Sequence, residues 1–282
     1  MTLGRLDEVL AAARAAGHGV GAFNVIQVEH AEALVAAAER VGLPVVLQIS
    51  QNAALYHGSL APISLATKAL ATAASVPCVL HLDHAQSEDL VGEALDLGFT
   101  SVMFDASTLE DDANRERTRA VVQRCRAAGV SVEAELGEIG GKDGVHAPGA
   151  RTDPDAAARF VAETGVGALA VAVGSSHAMT SRSARLDLDL VAAIRARVPV
   201  PLVLHGSSGV ADEDLVAAVS AGMTKINIAT HLNVVFTRAV RAVLDADPQV
   251  VDTRTYLAAG RSAVTDEAAR LMLLLAGRPA TG

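Results

Sequence analysis

Val76–Ser107 reads VPCVLHLDHAQSEDLVGEALDLGFTSVMFDAS. Cys78–Asp83 is a short apolar run entered after Pro77, and it ends in polar residues. Glu88–Leu97 then carries apolar residues at helical spacing, and Ser101–Asp105 is a second short apolar run. Near-continuous apolar strands separated by a helix belong to a parallel sheet with covered faces.

The same unit recurs on both sides of this stretch. Strands are also predicted at Val20–Val25, Val45–Ser50, Ser131–Leu136, Ala168–Val173, Leu202–His205 and Lys225–Ile228. Helices fit Val28–Val41, Ile63–Ala73, Ala113–Ala127, Pro154–Glu163, Leu188–Arg197, Asp212–Ser220 and Val234–Leu244. Leu6–Ala16 reads as an extra helix before the first strand, and Asp266–Leu275 as a helical extension after the last unit. Eight strand–helix units in 282 residues favour one closed (β/α)8 TIM barrel spanning 1–282, ahead of a doubly wound open sheet.

Composition narrows the function. Apolar residues make up 51%, enough for a large core, and charged residues 20%, too few for a disordered polyelectrolyte. A formal net charge of −9 argues against nucleic-acid binding, which needs clustered Lys and Arg. No apolar run reaches membrane-spanning length and the N-terminus lacks signal-peptide character, so a cytoplasmic protein without a membrane partner is expected. Cys78 and Cys125 have no CxxC spacing, which argues against a cysteine metal site.

Barrel active sites lie at the C-terminal ends of the strands. Those ends here read His81-Leu82-Asp83-His84, Phe104-Asp105, Glu133-Ala134-Glu135, Gly174-Ser175-Ser176-His177, His205-Gly206-Ser207-Ser208-Gly209 and Asn227-Ile228-Ala229-Thr230. A single histidine there is most simply structural. Three at equivalent strand ends, His84, His177 and His205, would converge, and three imidazoles with an open position describe a catalytic Zn2+ site. Glu133 and Glu135 are two apart and so share a face, in a barrel the lumen. Two carboxylates there need a cation or protons. His81 and Asp83 share a face by the same period, so His84 can join Asp83 only if the strand turns there. Asp83 reads equally as a carboxylate orienting a ligand imidazole or as a general base. Gly137–Asp153, GEIGGKDGVHAPGARTD, is long for a barrel connection and reads as a lid.

These strand ends, with AFNV at Ala22–Val25, LQIS at Leu47–Ser50, SVMFDAS at Ser101–Ser107, SVEAELGEIGG at Ser131–Gly141, AVAVGSSH at Ala170–His177, LVLHGSSG at Leu202–Gly209 and KINIAT at Lys225–Thr230, resemble the class II, metal-dependent fructose-bisphosphate and tagatose-bisphosphate aldolases. The likeness covers nearly the whole chain. It implies Zn2+ ligation by His84, His177 and His205, with Glu135 joining when the site is empty, and catalysis by Asp83. It implies a second, non-catalytic metal position at His81, Asp105 and Glu133. Asn24, Ser50 and Asn227 match substrate contacts; Gly206, Ser208 and Thr230 match the site for the dihydroxyacetone phosphate group, where a monovalent cation often helps.

The implied reaction is cleavage of the C3–C4 bond of a phosphorylated ketose, as in glycolysis. Asp83 would take the C4 hydroxyl proton, and Asp143 or His146 would protonate the remaining carbon. A homodimer or homotetramer is implied as well. Three positions depart from the family pattern: the lid offers Asp143 where a glutamate is usual, Ala178 follows His177 in place of Gly, and Asn233 stands where a basic residue holds the distal phosphate. Arg254 and Arg261 are the candidates to supply that charge across a subunit interface. A Schiff-base aldolase would need a lysine in the barrel, and Lys68, Lys142 and Lys225 all read as badly placed. A sugar-phosphate binding protein on an altered aldolase scaffold is the non-enzymatic rival.

Overall fold

The computed structural model describes residues 3–136, 151–176, 179 and 181–279. Eight parallel strands close into a barrel in sequence order: β1 Val20–Asn24, β2 Val45–Ser50, β3 Cys78–Ala85, β4 Ser101–Phe104, β5 Ser131–Leu136, β6 Ala168–Val171, β7 Leu202–Leu204 and β8 Met223–Ile228. The open-sheet alternative is thereby excluded.

Eleven α-helices occur among the described residues: α1 Leu6–Ala16, α2 Val28–Val41, α3 Gln51–His57, α4 Ala61–Ala73, α5 Glu88–Leu97, α6 Asp111–Ala127, α7 Pro154–Thr164, α8 Leu188–Arg197, α9 Asp212–Ala221, α10 Thr230–Ala246 and α11 Thr253–Leu275. Three are longer or newer than expected. The sequence reading has no helix at α3, starts α10 at Val234 and starts the terminal helix at Asp266. Ser50 nucleates α3 by accepting the Ala53 N–H at 3.1 Å, a cap signal at the end of an apolar run. The polar first half of α11 hid its helical period. Gly260 sits there because a Cβ would lie 2.6 Å from the Phe236 ring of α10.

Strand alternation divides the core in two. Val45, Leu47 and Ile49 of β2, like Leu80 and Leu82 of β3, face outward into the layer shared with the helices. Val20, Ala22, Val46, Val79, Met103, Ala168, Ala170 and Val203 face inward, and Leu6, Val9 and Leu10 of α1 pack with them as a plug. Above this apolar floor the inward positions turn polar: Gln48, His81, Asp83, Glu133, Glu135, His205, Lys225 and Asn227 are all buried. The fold thus puts ionisable groups at the C-terminal mouth and hydrocarbon at the other end. No helix among the described residues is long and apolar enough to cross a membrane.

Candidate metal and substrate site

The end of β3 makes the turn that Asp83 and His84 require. Pairing with β4 slips between Leu82 and Ala85, and His84 takes φ +50°, the one non-glycine residue with positive φ among those described. Such a backbone is costly for a side-chain-bearing residue and marks functional geometry. It brings both side chains to one cavity of about 180 Å3, lined also by Asn24, Ser50, His205, Gly206, Ser208, Asn227 and Thr230. Asn52, at the start of α3, lines it as well. The sequence offered no sign of Asn52, because α3 was not foreseen.

The two imidazoles face each other. His84 Nε2 lies 3.0 Å from His205 Nδ1. Each ring is held from behind: His84 Nδ1 is 2.8 Å from Asp105 Oδ2, and His205 Nε2 is 3.0 Å from Glu133 Oε1. A carboxylate accepts, so the back nitrogens carry the protons and the facing nitrogens present lone pairs. Two lone pairs at that separation need a proton or a metal ion between them. Asp83, His84 and His205 have ligand atoms within 4.8 Å of one another, and so do His84, Asp105 and Glu135. Imidazole nitrogen with carboxylate oxygen is a donor set suited to Zn2+. The residues therefore fit a divalent ion.

Charge supports the same reading. Burial opposes a proton on His84, but the Asp83 charge and the Asp105 hydrogen bond outweigh it and raise its pKa to about 10. Burial likewise opposes ionisation of Asp83, yet the charges of His84, His205 and Lys225 keep its pKa low. Asn24 donates to Asp83 Oδ2 at 3.0 Å and is itself held by Gln48 at 3.1 Å. Asp83 Oδ1 is buried without a hydrogen-bond partner. A buried carboxylate oxygen in that state is open to accept a hydrogen bond from a bound hydroxyl.

Beside the imidazoles, Gly206 has φ +68°, and a Cβ there would lie 2.5 Å from the Ser176 backbone. Only glycine permits that approach. Ser208 Oγ accepts the Ala229 and His231 N–H groups at 3.3 and 3.1 Å, tying this loop to the start of α10.

A family model described as fructose-bisphosphate aldolase class-II matches residues 4–278. The chain belongs to that family. A fructose-bisphosphate aldolase of Thermus caldophilus is 39% identical, over 92% of this chain and 93% of its own. One from Geobacillus stearothermophilus is also 39% identical, over 94% and 93%. Among solved structures, the YdjI aldolase of Escherichia coli K12 superposes with a TM-score of 0.86 at 31% identity, covering 97% of both chains. The protein is thus a class II aldolase, a lyase of a metal-dependent family that acts on phosphorylated sugars.

Several of the aldolase's expected site residues fall differently. His177, Asp143, His146, Lys142 and Ala178 lie outside the described residues. His81, Asp105 and Glu133 do not gather as one ligand set among the described residues; Asp105 and Glu133 back the two imidazoles instead. His81 is fully buried, 2.7 Å from Ser101 Oγ, and burial and then the Lys225 charge hold it well below its ordinary pKa. Arg254 pairs with Asp252 and Arg261 with Glu32, and neither lines the cavity. Lys68 donates to the Leu97 carbonyl.

Lys225 needs correction. It is fully buried inside the barrel, with Nζ 2.9 Å from Glu133 Oε2. The signal was present: Lys225 is two residues before Asn227 and must share its face.

Proposed function

We propose that this aldolase cleaves the C3–C4 bond of a ketose phosphate, fructose 1,6-bisphosphate first among them, to dihydroxyacetone phosphate and an aldehyde. One Zn2+ per subunit would be held by His84, His177 and His205, with Glu135 able to join. The observation that carries this reading is the opposed pair of imidazole nitrogens, 3.0 Å apart, beside the unpartnered Oδ1 of Asp83. When bound, a divalent ion supplies Lewis-acid stabilisation of the charge that develops as the carbon–carbon bond breaks.

The chain's own residues do the rest. Asp83, fixed through Oδ2 by Asn24, takes the C4 hydroxyl proton at Oδ1. Ser50 and Asn227 on the cavity wall orient the sugar hydroxyls. Gly206, Ser208 and Thr230 receive the dihydroxyacetone phosphate group. There the glycine-opened turn meets the start of α10, a favourable end for an anion, and a monovalent cation would take the role the family gives it. Asp143 or His146 returns the proton to carbon. We place these roles on one domain, in a homodimer or homotetramer. Leu55 and Tyr56 of α3, 71% and 77% exposed beside the site, offer apolar surface that a second subunit would cover.

The substrate is open to one direct test. Fructose 1,6-bisphosphate, tagatose 1,6-bisphosphate and ketose 1-phosphates are assayed with and without chelator. Turnover of at least one, abolished by chelator and restored by Zn2+, is expected. Binding of every ketose without turnover would favour a sugar-phosphate binding protein. Borohydride trapping should give no adduct. Lys225 does not line the cavity and is engaged by Glu133, whereas a Schiff-base lysine must reach substrate.

A further inference from the structure

The barrel interior holds an ion pair that the reaction does not use. Lys225 lies in β8, Glu133 in β5 and His205 directly after β7, and at most 1% of any of their side chains is exposed. Glu133 divides its oxygens: Oε2 is 2.9 Å from Lys225 Nζ, and Oε1 is 3.0 Å from His205 Nε2. The first contact is an ion pair more than an aligned hydrogen bond, since neither Nζ nor Oε2 completes one. Burying a carboxylate and an ammonium carries a large desolvation cost. An apolar pair of similar size would fill this layer of the barrel as well. The arrangement does something an apolar pair cannot: it leaves one carboxylate oxygen aimed at the rear nitrogen of an imidazole.

We propose that Lys225 is a positioning residue that sets the metal-binding face of His205 through Glu133. This inference rests on the reading of His84 and His205 as metal ligands. The ammonium neutralises Glu133 where water cannot, and fixes its carboxylate plane. Glu133 Oε1 then accepts from Nε2–H, which fixes the tautomer and leaves Nδ1 as the lone pair opposite His84. His81 Nε2, 3.9 Å from Glu133 Oε2, is too distant to replace the lysine. Without Lys225, its ion-pair partner on that side is gone, and the Glu133 carboxylate is free to turn and carry its acceptor oxygen away from His205.

The test uses the full-length protein, stripped of metal and titrated with Zn2+ against a chromophoric chelator. Co2+ absorption reports the coordination geometry. Lys225→Met should weaken Zn2+ binding by about 10–100-fold, the usual effect of losing an outer partner of a ligand histidine. Glu133→Gln should weaken it similarly and alter the Co2+ bands, and it keeps the side-chain shape should Lys225→Met fail to fold. The double variant should bind no worse than the weaker single one, since both act through one contact. Lys68→Met is the control and should bind as wild type.

Unchanged Zn2+ affinity and Co2+ bands in folded Lys225→Met or Glu133→Gln, with His205→Ala impaired, would overturn the positioning role alone. Wild type that binds no Zn2+, or His205→Ala that binds as tightly as wild type, would overturn the metal-site reading and this inference with it.

Discussion

Asp83 and His84 are adjacent in sequence yet share one cavity, and the left-handed backbone of His84 is what permits it. The period-two rule alone assigns them to opposite faces, so the sequence could state the requirement for a turn but not its form. The roles of Asp105 and Glu133 were illegible for a related reason. A carboxylate at a strand end looks the same whether it touches a metal or the rear of an imidazole, and only the 2.8 and 3.0 Å contacts separate the two. At Asp83 the two readings, brace and base, start even. Its Oδ2 accepts from the Asn24 amide and its Oδ1 has no hydrogen-bond partner, the arrangement that the proposed base role needs. Asp83→Ala should therefore lower kcat by about 10²–10⁴ with bound metal unchanged, measured by steady-state assay and metal analysis of the same samples. Metal lost along with activity would make Asp83 structural.

Among the elements, the eight strands were legible within a residue or two at most ends, because apolar runs bounded by Pro and polar turns are strong signals. The helices that escaped were those whose pattern is set by neighbours. In α11, Gly260 interrupts the helical signal because the helix passes close beneath Phe236. Ala exceeds Gly in intrinsic helix preference by about 1 kcal/mol. Here Gly260→Ala should nonetheless lower the thermal midpoint, since the new methyl meets the Phe236 ring. Pairing it with Phe236→Leu should recover part of the loss in thermal melts. A Gly260→Ala variant more stable than wild type would show that the ring moves aside freely.

For the molecule as a whole, barrel closure, the polar mouth and the family were all readable from pattern and motif order, whereas surface networks were not. One such network joins α9, α10 and α11: Glu267 contacts His231 and Arg270, each at 2.7 Å, and Arg270 reaches Asp212 at 2.6 Å. Its members come from positions 212 to 270, with no spacing to betray them. Burial opposes ionisation of Glu267, but its hydrogen bonds to Arg270 and His231 prevail and lower its pKa from 4.5 to about 2. A depressed carboxylate pKa contributes stability that is present above the unfolded value and lost as pH falls toward the folded one. Stability should therefore decline from about pH 4.5 downward. Glu267→Gln should be less stable than wild type at neutral pH and show a shallower decline in acid, followed by denaturant unfolding across that range.

His84 leaves β3 and His205 leaves β7, strands that stand opposite each other in a ring of eight. An ion shared by them, as proposed, would work as a spoke across the barrel's rim, joining two staves that exchange no backbone hydrogen bonds with each other. Removing it should loosen the rim and leave the α1-plugged floor as tight as before. Amide exchange with deuterium should then quicken at the C-terminal ends of β3 and β7 when metal is withdrawn, and stay unchanged around Val20 and Val46 at the far end.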